Sequence, residues 1–192
     1  MTEPLELPVR PGPRPHSTAT NPHVQLDQNA PPELQERLFE RARELSGVRV
    51  EPSMISVPGA RAFVIAEEAV AGPAEAFMIG REFAHLHPTA DGSLHMMLPL
   101  DLARSVEEQG WGEQHPVARM GLIPPTAMMV YGPRDEGELE IVWDILRASH
   151  ALAQALRSPP CESAHRPSRQ NRQGDALDLV DPRERIPVCA SY

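Results

Sequence analysis

Phe83-Ala-His85-Leu-His87-Pro-Thr-Ala-Asp-Gly92-Ser-Leu-His95-Met-Met-Leu98 is the stretch on which the fold turns. Residue character alternates on both sides of Ala90-Asp91-Gly92, as expected for two half-buried strands joined by a tight turn. A three-residue hairpin loop ends on a left-handed residue, and Gly92 takes that conformation without steric cost. With this loop Thr89 faces Ser93, His87 faces His95 and His85 faces Met97. Side chains alternate across a strand, so Phe83, His85, His87, Ser93, His95 and Met97 share one face. Ala84, Leu86, Leu94, Met96 and Leu98 share the other, which reads as core. Three imidazoles then stand on one sheet face, and a one-residue slip would scatter them.

The flanking segments build a domain around this hairpin. Pro31-Pro32-Glu33 opens an amphipathic helix with Leu34, Leu38, Ala42 and Leu45 on one face, stopped by Gly47. Val48–Pro52, Ser53–Val57 and Ala60–Ile65 are short runs broken by Pro or Gly, the pattern of meandering strands. Asp101 to Gln109 reads as a short helix ended by Gly110, and Thr126–Tyr131 as an apolar strand. Asp135 to about Leu156 is the longest helix, with acids at its start and Leu139, Val142, Leu146 and Ala153 along one face. This order predicts an α+β fold: a small, mainly antiparallel sheet with helices packed on one face.

Proline marks the limits of the domain. Residues 1–32 hold eight prolines and residues 158–192 hold five, out of 22 in the 192-residue chain. Neither end has the apolar content to offset ordering entropy, so both read as disordered tails around a domain at 33–157. That domain carries 11 Arg against 19 Asp and Glu, too acidic for a generic nucleic-acid binder. All 18 basic residues of the chain are arginine, which excludes lysine Schiff-base chemistry and a phosphate-loop lysine. No apolar run reaches the roughly 18 residues that span a bilayer, and the N-terminus shows no basic patch followed by an apolar stretch. Cys161 and Cys189 both lie in the C-terminal tail, without metal-ligand spacing. A cytoplasmic protein is the expectation, with no membrane partner and no nucleic acid.

Four of the eight histidines fall within residues 85–115, which locates the candidate site. Imidazole can ligate a metal, move a proton near neutral pH or donate to an anion. His85, His87 and His95 are the candidate metal ligands, because alternate residues of a rigid sheet can offer three nitrogens to a divalent ion. His95, Glu113 and His115 are the candidate catalytic groups, with Glu113 as a base or an orienting carboxylate. Arg81, Ser93 and Trp111 are the candidate ligand-binding residues: a cation, a hydroxyl and an aromatic wall. A divalent metal is the one cofactor these residues suggest, since no flavin or nucleotide fingerprint is present. A small-molecule ligand is the expected partner. Three functions fit: a metal-assisted or histidine-based hydrolase or oxygenase, a non-catalytic module for an anionic metabolite, and an interaction protein with structural histidines.

Four blocks occur in order: Glu82-Phe-Ala-His-Leu-His87, Asp91-Gly-Ser-Leu-His95-Met-Met-Leu-Pro99, Gly110-Trp-Gly-Glu-Gln-His-Pro116 and Pro125-Thr-Ala-Met-Met-Val-Tyr-Gly-Pro-Arg134. Across residues 33–156 the chain resembles the luciferase domain family of bacterial and fungal proteins, whose hallmark is H-x-H, D-G-S-x-H and G-W-G-E-x-H-P. The resemblance implies a small α+β domain with a site built on those shared polar residues. It carries no reaction with it, and the chain is unlike the large barrel of bacterial luciferase.

Overall fold

The computed structural model describes residues 5–155. The C-terminal segment 158–192, with its two cysteines, lies outside the described residues, and so does the expectation of a disordered tail there.

Among the described residues four α-helices and six strands follow one another as α1 (Pro32–Arg43), β1 (Val48–Pro52), β2 (Arg61–Ile65), β3 (Glu82–Leu86), β4 (Leu94–Met97), α2 (Leu100–Glu108), β5 (Gly112–Gln114), α3 (Pro116–Arg119), β6 (Ala127–Val130) and α4 (Glu136–Gln154), with a 3-10 turn at Ala74–Ala76. The strands form one sheet in the order β1-β2-β3-β4-β6-β5, and every neighbouring pair is antiparallel. The chain is therefore α+β, as its pattern predicts. Helix α1 starts on Pro32, whose missing N–H costs nothing in a first turn, and buries Leu34, Leu38 and Ala42. Helix α4 is capped by Asp135, whose side chain accepts the Glu138 N–H at 2.9 Å. Its inward stripe of Leu139, Val142, Ile145 and Leu146 joins Leu38, Phe63, Ala84, Leu86, Leu94, Met96 and Val130 in the main core. On the opposite face the N-terminal segment, the loop 55–58 and the single turn α3 line a cavity with the histidines.

The hairpin pairs with a different register from the one expected. Ala84 lies opposite Met96, His85 opposite His95 and Leu86 opposite Leu94. The connection runs from Pro88 to Gly92 instead of Ala90 to Gly92, because the Asp91 and Gly92 N–H groups both donate to the Pro88 carbonyl at 2.9 Å. This moves the pairing by two residues. Since the side-chain period is also two, every residue keeps its face. Phe83 is the exception. Between β2 and β3 the partners run from Phe63 opposite Ala84 to Val64 opposite Glu82, so Phe83 is the extra residue of a β-bulge. The bulge sends Phe83 into the core beside Phe63 and His150, and brings Glu82 to His85. Ser53–Val57, expected as a strand, is a bent loop that hangs over the histidine face.

The N-terminal segment requires a second correction. It has no helix and adds no strand to the sheet, in keeping with its prolines, yet residues 5–31 are laid along the domain. Arg10 is 5% exposed and donates to Glu138 at 2.9 Å and to the Gly132 carbonyl at 3.2 Å, between the Trp111 and Tyr131 rings. Gln25 accepts the Gly132 N–H at 2.9 Å, and its own N–H donates to Asp91 at 3.2 Å. Local composition predicts disorder because it measures apolar burial, whereas this strap is held by polar partners more than 60 residues away in sequence.

Two outcomes test this packing in urea unfolding. Gly92 sits at φ +71°, and a Cβ there would lie 2.3 Å from Gln35 Nε2, so Gly92→Val should cost about 2 kcal/mol or more. Arg10→Met should cost about 2 kcal/mol, below the usual range for a broken buried pair because Arg134 still holds Glu138.

Candidate functional site

Antiparallel pairing places the His85 and His95 rings side by side, and His87 follows one step along the same face. The edge strand β5 brings Glu113 opposite Met129, and so onto the His95 row. His115 continues β5, its N–H donating to the Ala127 carbonyl at 3.0 Å. The strap adds His23. His95 is the hub, with ring centroids 4.6 Å from His87, 5.0 Å from His85 and His115, and 5.2 Å from His23.

Hydrogen bonds fix which nitrogen of each ring bears the proton. Ser53 donates to Glu82 Oε1 at 2.9 Å, and the same oxygen accepts from His85 Nδ1 at 2.7 Å. His85 Nε2 is then a lone pair, and it accepts from His95 Nδ1 at 3.2 Å. This leaves His95 Nε2 as a lone pair. Asp91 accepts from His87 Nδ1, which leaves His87 Nε2 in the same state. Glu113 accepts from His23 Nε2 at 2.8 Å and leaves His23 Nδ1 bare. Among the described residues these three nitrogens (His23 Nδ1, His87 Nε2 and His95 Nε2) are buried without a hydrogen-bond partner. His115 is the opposite case. Its Nδ1 accepts the Val117 N–H at 3.2 Å, so Nε2 carries the proton and is a donor.

Burial opposes protonation of His85, His95 and His115. It holds His85 below the ordinary histidine value despite the opposing pull of Glu82. Burial and the surrounding imidazoles push His95 well below it, and lower His115 to about 4. Glu113 ends below the usual carboxylate range, because the His23 and Ser17 hydrogen bonds outweigh its burial.

The histidines form one wall of a cavity of about 670 Å³. Ile55, Val57, Phe77, Met78, Val117 and Ile123 supply apolar lining, and among the described residues no Asp, Glu or Arg lines it. One ring nitrogen from each of His85, His87 and His95 lies within 4.8 Å of the other two, and the same holds for His23, His95 and His115.

The remaining candidates fall around this site in different ways. Ser93 is buried behind His87, its hydroxyl 3.4 Å from Nδ1 and its N–H donating to Asp91 at 3.1 Å. Glu113 stands behind His23 and outside the cavity lining. Arg81 donates to the Glu67 and Ala69 carbonyls at 3.0 and 2.6 Å, beside a separate depression of about 220 Å³. Trp111 is 2% exposed in the main core, with its indole N–H donating to the Pro8 carbonyl at 2.6 Å. Sequence reasoning missed Glu82 and Asp91 as orienting carboxylates, and it missed His23. Asp91 reads as an ordinary turn residue, and nothing local to His23 signals its place.

The family model for the luciferase domain matches residues 80–149. The luciferase of Armillaria mellea is 31% identical over 162 residues, covering 75% of this chain and 60% of that protein. The luciferases of Armillaria gallica and Neonothopanus nambi are 42% and 41% identical over 71 residues, each 36% of this chain and 27% of the relative. Residues 80–149 are thus similar to the luciferase domain, and the chain spans less than two thirds of the length of these relatives. No solved structure gives a significant match. Among the described residues no helix is long and apolar enough to cross a membrane.

The depressed histidines imply a pH dependence. In the unfolded chain His85, His95 and His115 take up protons near 6.5, whereas the folded state resists them. More protons on the unfolded state make stability fall as the pH drops from 6.5 toward 4. Urea midpoints measured in chelator at pH 7.5, 6 and 4.5 should decline steadily, and the decline should be shallower in His115→Gln. A flat profile would contradict the lowered values of these three histidines.

Proposed function

We propose that this domain is a metal-assisted enzyme acting on a small, uncharged substrate bound in the histidine-walled cavity. The observation that carries this is the pair of buried, unpartnered Nε2 lone pairs on His87 and His95, with a His85 nitrogen within 4.8 Å of both residues. A neutral imidazole with its other nitrogen held by a carboxylate is the usual state of a metal-bound histidine. Asp91 holds His87 in this way, and Glu82 holds His85. A divalent ion there would act as a Lewis acid or lower the pKa of a bound water. The protein's own part is to disfavour protonation of His85 and His95, to exclude bulk water with apolar walls, and to present the His115 Nε2–H donor to the substrate.

The same observations weigh against a pocket for an anionic metabolite. Such a pocket needs cationic donors, but these imidazoles resist protonation and Arg81 is spent on backbone carbonyls. The named relatives are luciferases, which makes oxidation of a small organic molecule the first reaction to screen.

Elemental analysis of the full chain tests the reading. The expected result is about one equivalent of a transition metal per chain, lost in His87→Ala and in His95→Ala. Metal-free protein that stays metal-free after incubation with zinc, iron or manganese would refute it.

A further inference from the structure

The metal reading draws on the sheet alone, and the family match begins at residue 80. His23 lies outside both, on a strap with no regular structure. Its side chain is 1% exposed, and its ring stacks on His95 at 5.2 Å and 23°. Its Nδ1 is buried without a partner and it lines the cavity. An imidazole does not gain by being desolvated with a bare lone pair, so this atom is in want of an acceptor for that pair. Water, a substrate N–H or a metal ion would satisfy it. The electrostatic surroundings favour the ion, because Nε2 is held by a carboxylate that is itself fixed by Ser17 and lies 3.8 Å from Arg119.

We propose that His23 is a further metal ligand that shares an ion with His95, one ring nitrogen of each lying within 4.8 Å of the other, so that the N-terminal strap is latched down by the metal. This rests on the metal reading above and extends it to a residue from a separate part of the chain. His95 neighbours both His23 and His87 and is common to the two close histidine groups of the site. His115, although within 4.8 Å of the same group, has its Nδ1 lone pair taken by Val117 and is a donor instead. The latch reaches the sheet through the orienting carboxylates as well. Glu113 holds His23 and Ser17, and Asp91 holds both His87 and the Gln25 N–H of the strap. Seating the strap and aiming the ligands are thus a single packing event. A ligand lost from the strap should loosen both.

Cobalt(II) is the probe, titrated into the full chain and into its His23→Gln, His23→Cys and His87→Ala variants. Glutamine keeps a donor for Glu113 but offers no ring nitrogen, so His23→Gln should weaken cobalt binding at least about tenfold, as loss of a metal-site partner does. Hydrogen exchange across residues 16–26 should slow on adding cobalt to the wild type and stay unchanged in His23→Gln. His23→Cys should show a thiolate-to-cobalt charge-transfer band absent from the wild type, a signature that only direct coordination at position 23 produces. Wild-type affinity in His23→Gln with binding lost in His87→Ala would overturn this inference and leave the metal reading standing. A cobalt-binding His23→Cys variant without the band would do the same. A wild-type chain that binds neither cobalt nor zinc would overturn both.

Discussion

The pairing of β3 with β4 is the constraint from which the site follows. An antiparallel ladder sets residues in direct opposition, and alternation then divides them between two faces. Here one face receives Ala84, Leu86, Leu94 and Met96 against the helices, while the other receives His85, His87 and His95. The apolar half of the pattern makes the polar half precise in position. Sliding either strand by one residue would bury imidazoles among leucines and expose leucines to the cavity, at a cost far above that of any single hydrogen bond.

Three carboxylates turn this row of rings into a site. Each takes the proton-bearing nitrogen of one histidine: Glu82 behind His85, Asp91 behind His87, Glu113 behind His23; the other nitrogen is left bare on His87 and His23, and on His85 it accepts from His95. Glu82 reaches its partner only because of the bulge at Phe83, which breaks the strand period once. Glu113 and Asp91 also anchor the N-terminal strap, so the segment that covers the site shares its supports. Burial then disfavours the charged form of His85, His95 and His115, as it does for any buried cation.

The hairpin shows what a period-two pattern tells reliably. The expected three-residue turn is a longer one running from Pro88, yet the faces come out as read, because a shift of two residues preserves parity. Phe83 and Ser53–Val57 show the limit. A bulge depends on how β2 meets β3, and a short apolar run becomes a loop when no neighbour offers it a ladder. Trp111 and Arg81 look like site residues in one dimension, but one fills the core beside Arg10 and the other closes a surface turn.

By itself, the sequence determined the α+β class, the helix starts at proline and aspartate, and the clustering of imidazoles on one sheet face. These follow from interactions between residues near in sequence: periodicity, capping and turn stereochemistry. Only the tertiary structure decided that residues 5–31 pack along the domain, that His23 lines the cavity and meets His95, and that the proton on each ring points where it does. Those facts depend on buried polar contacts such as Arg10 with Glu138 and His23 with Glu113, whose partners are more than 80 residues apart in the chain. A local pattern cannot register such contacts, because their strength comes from the shared exclusion of water and not from the residues beside them.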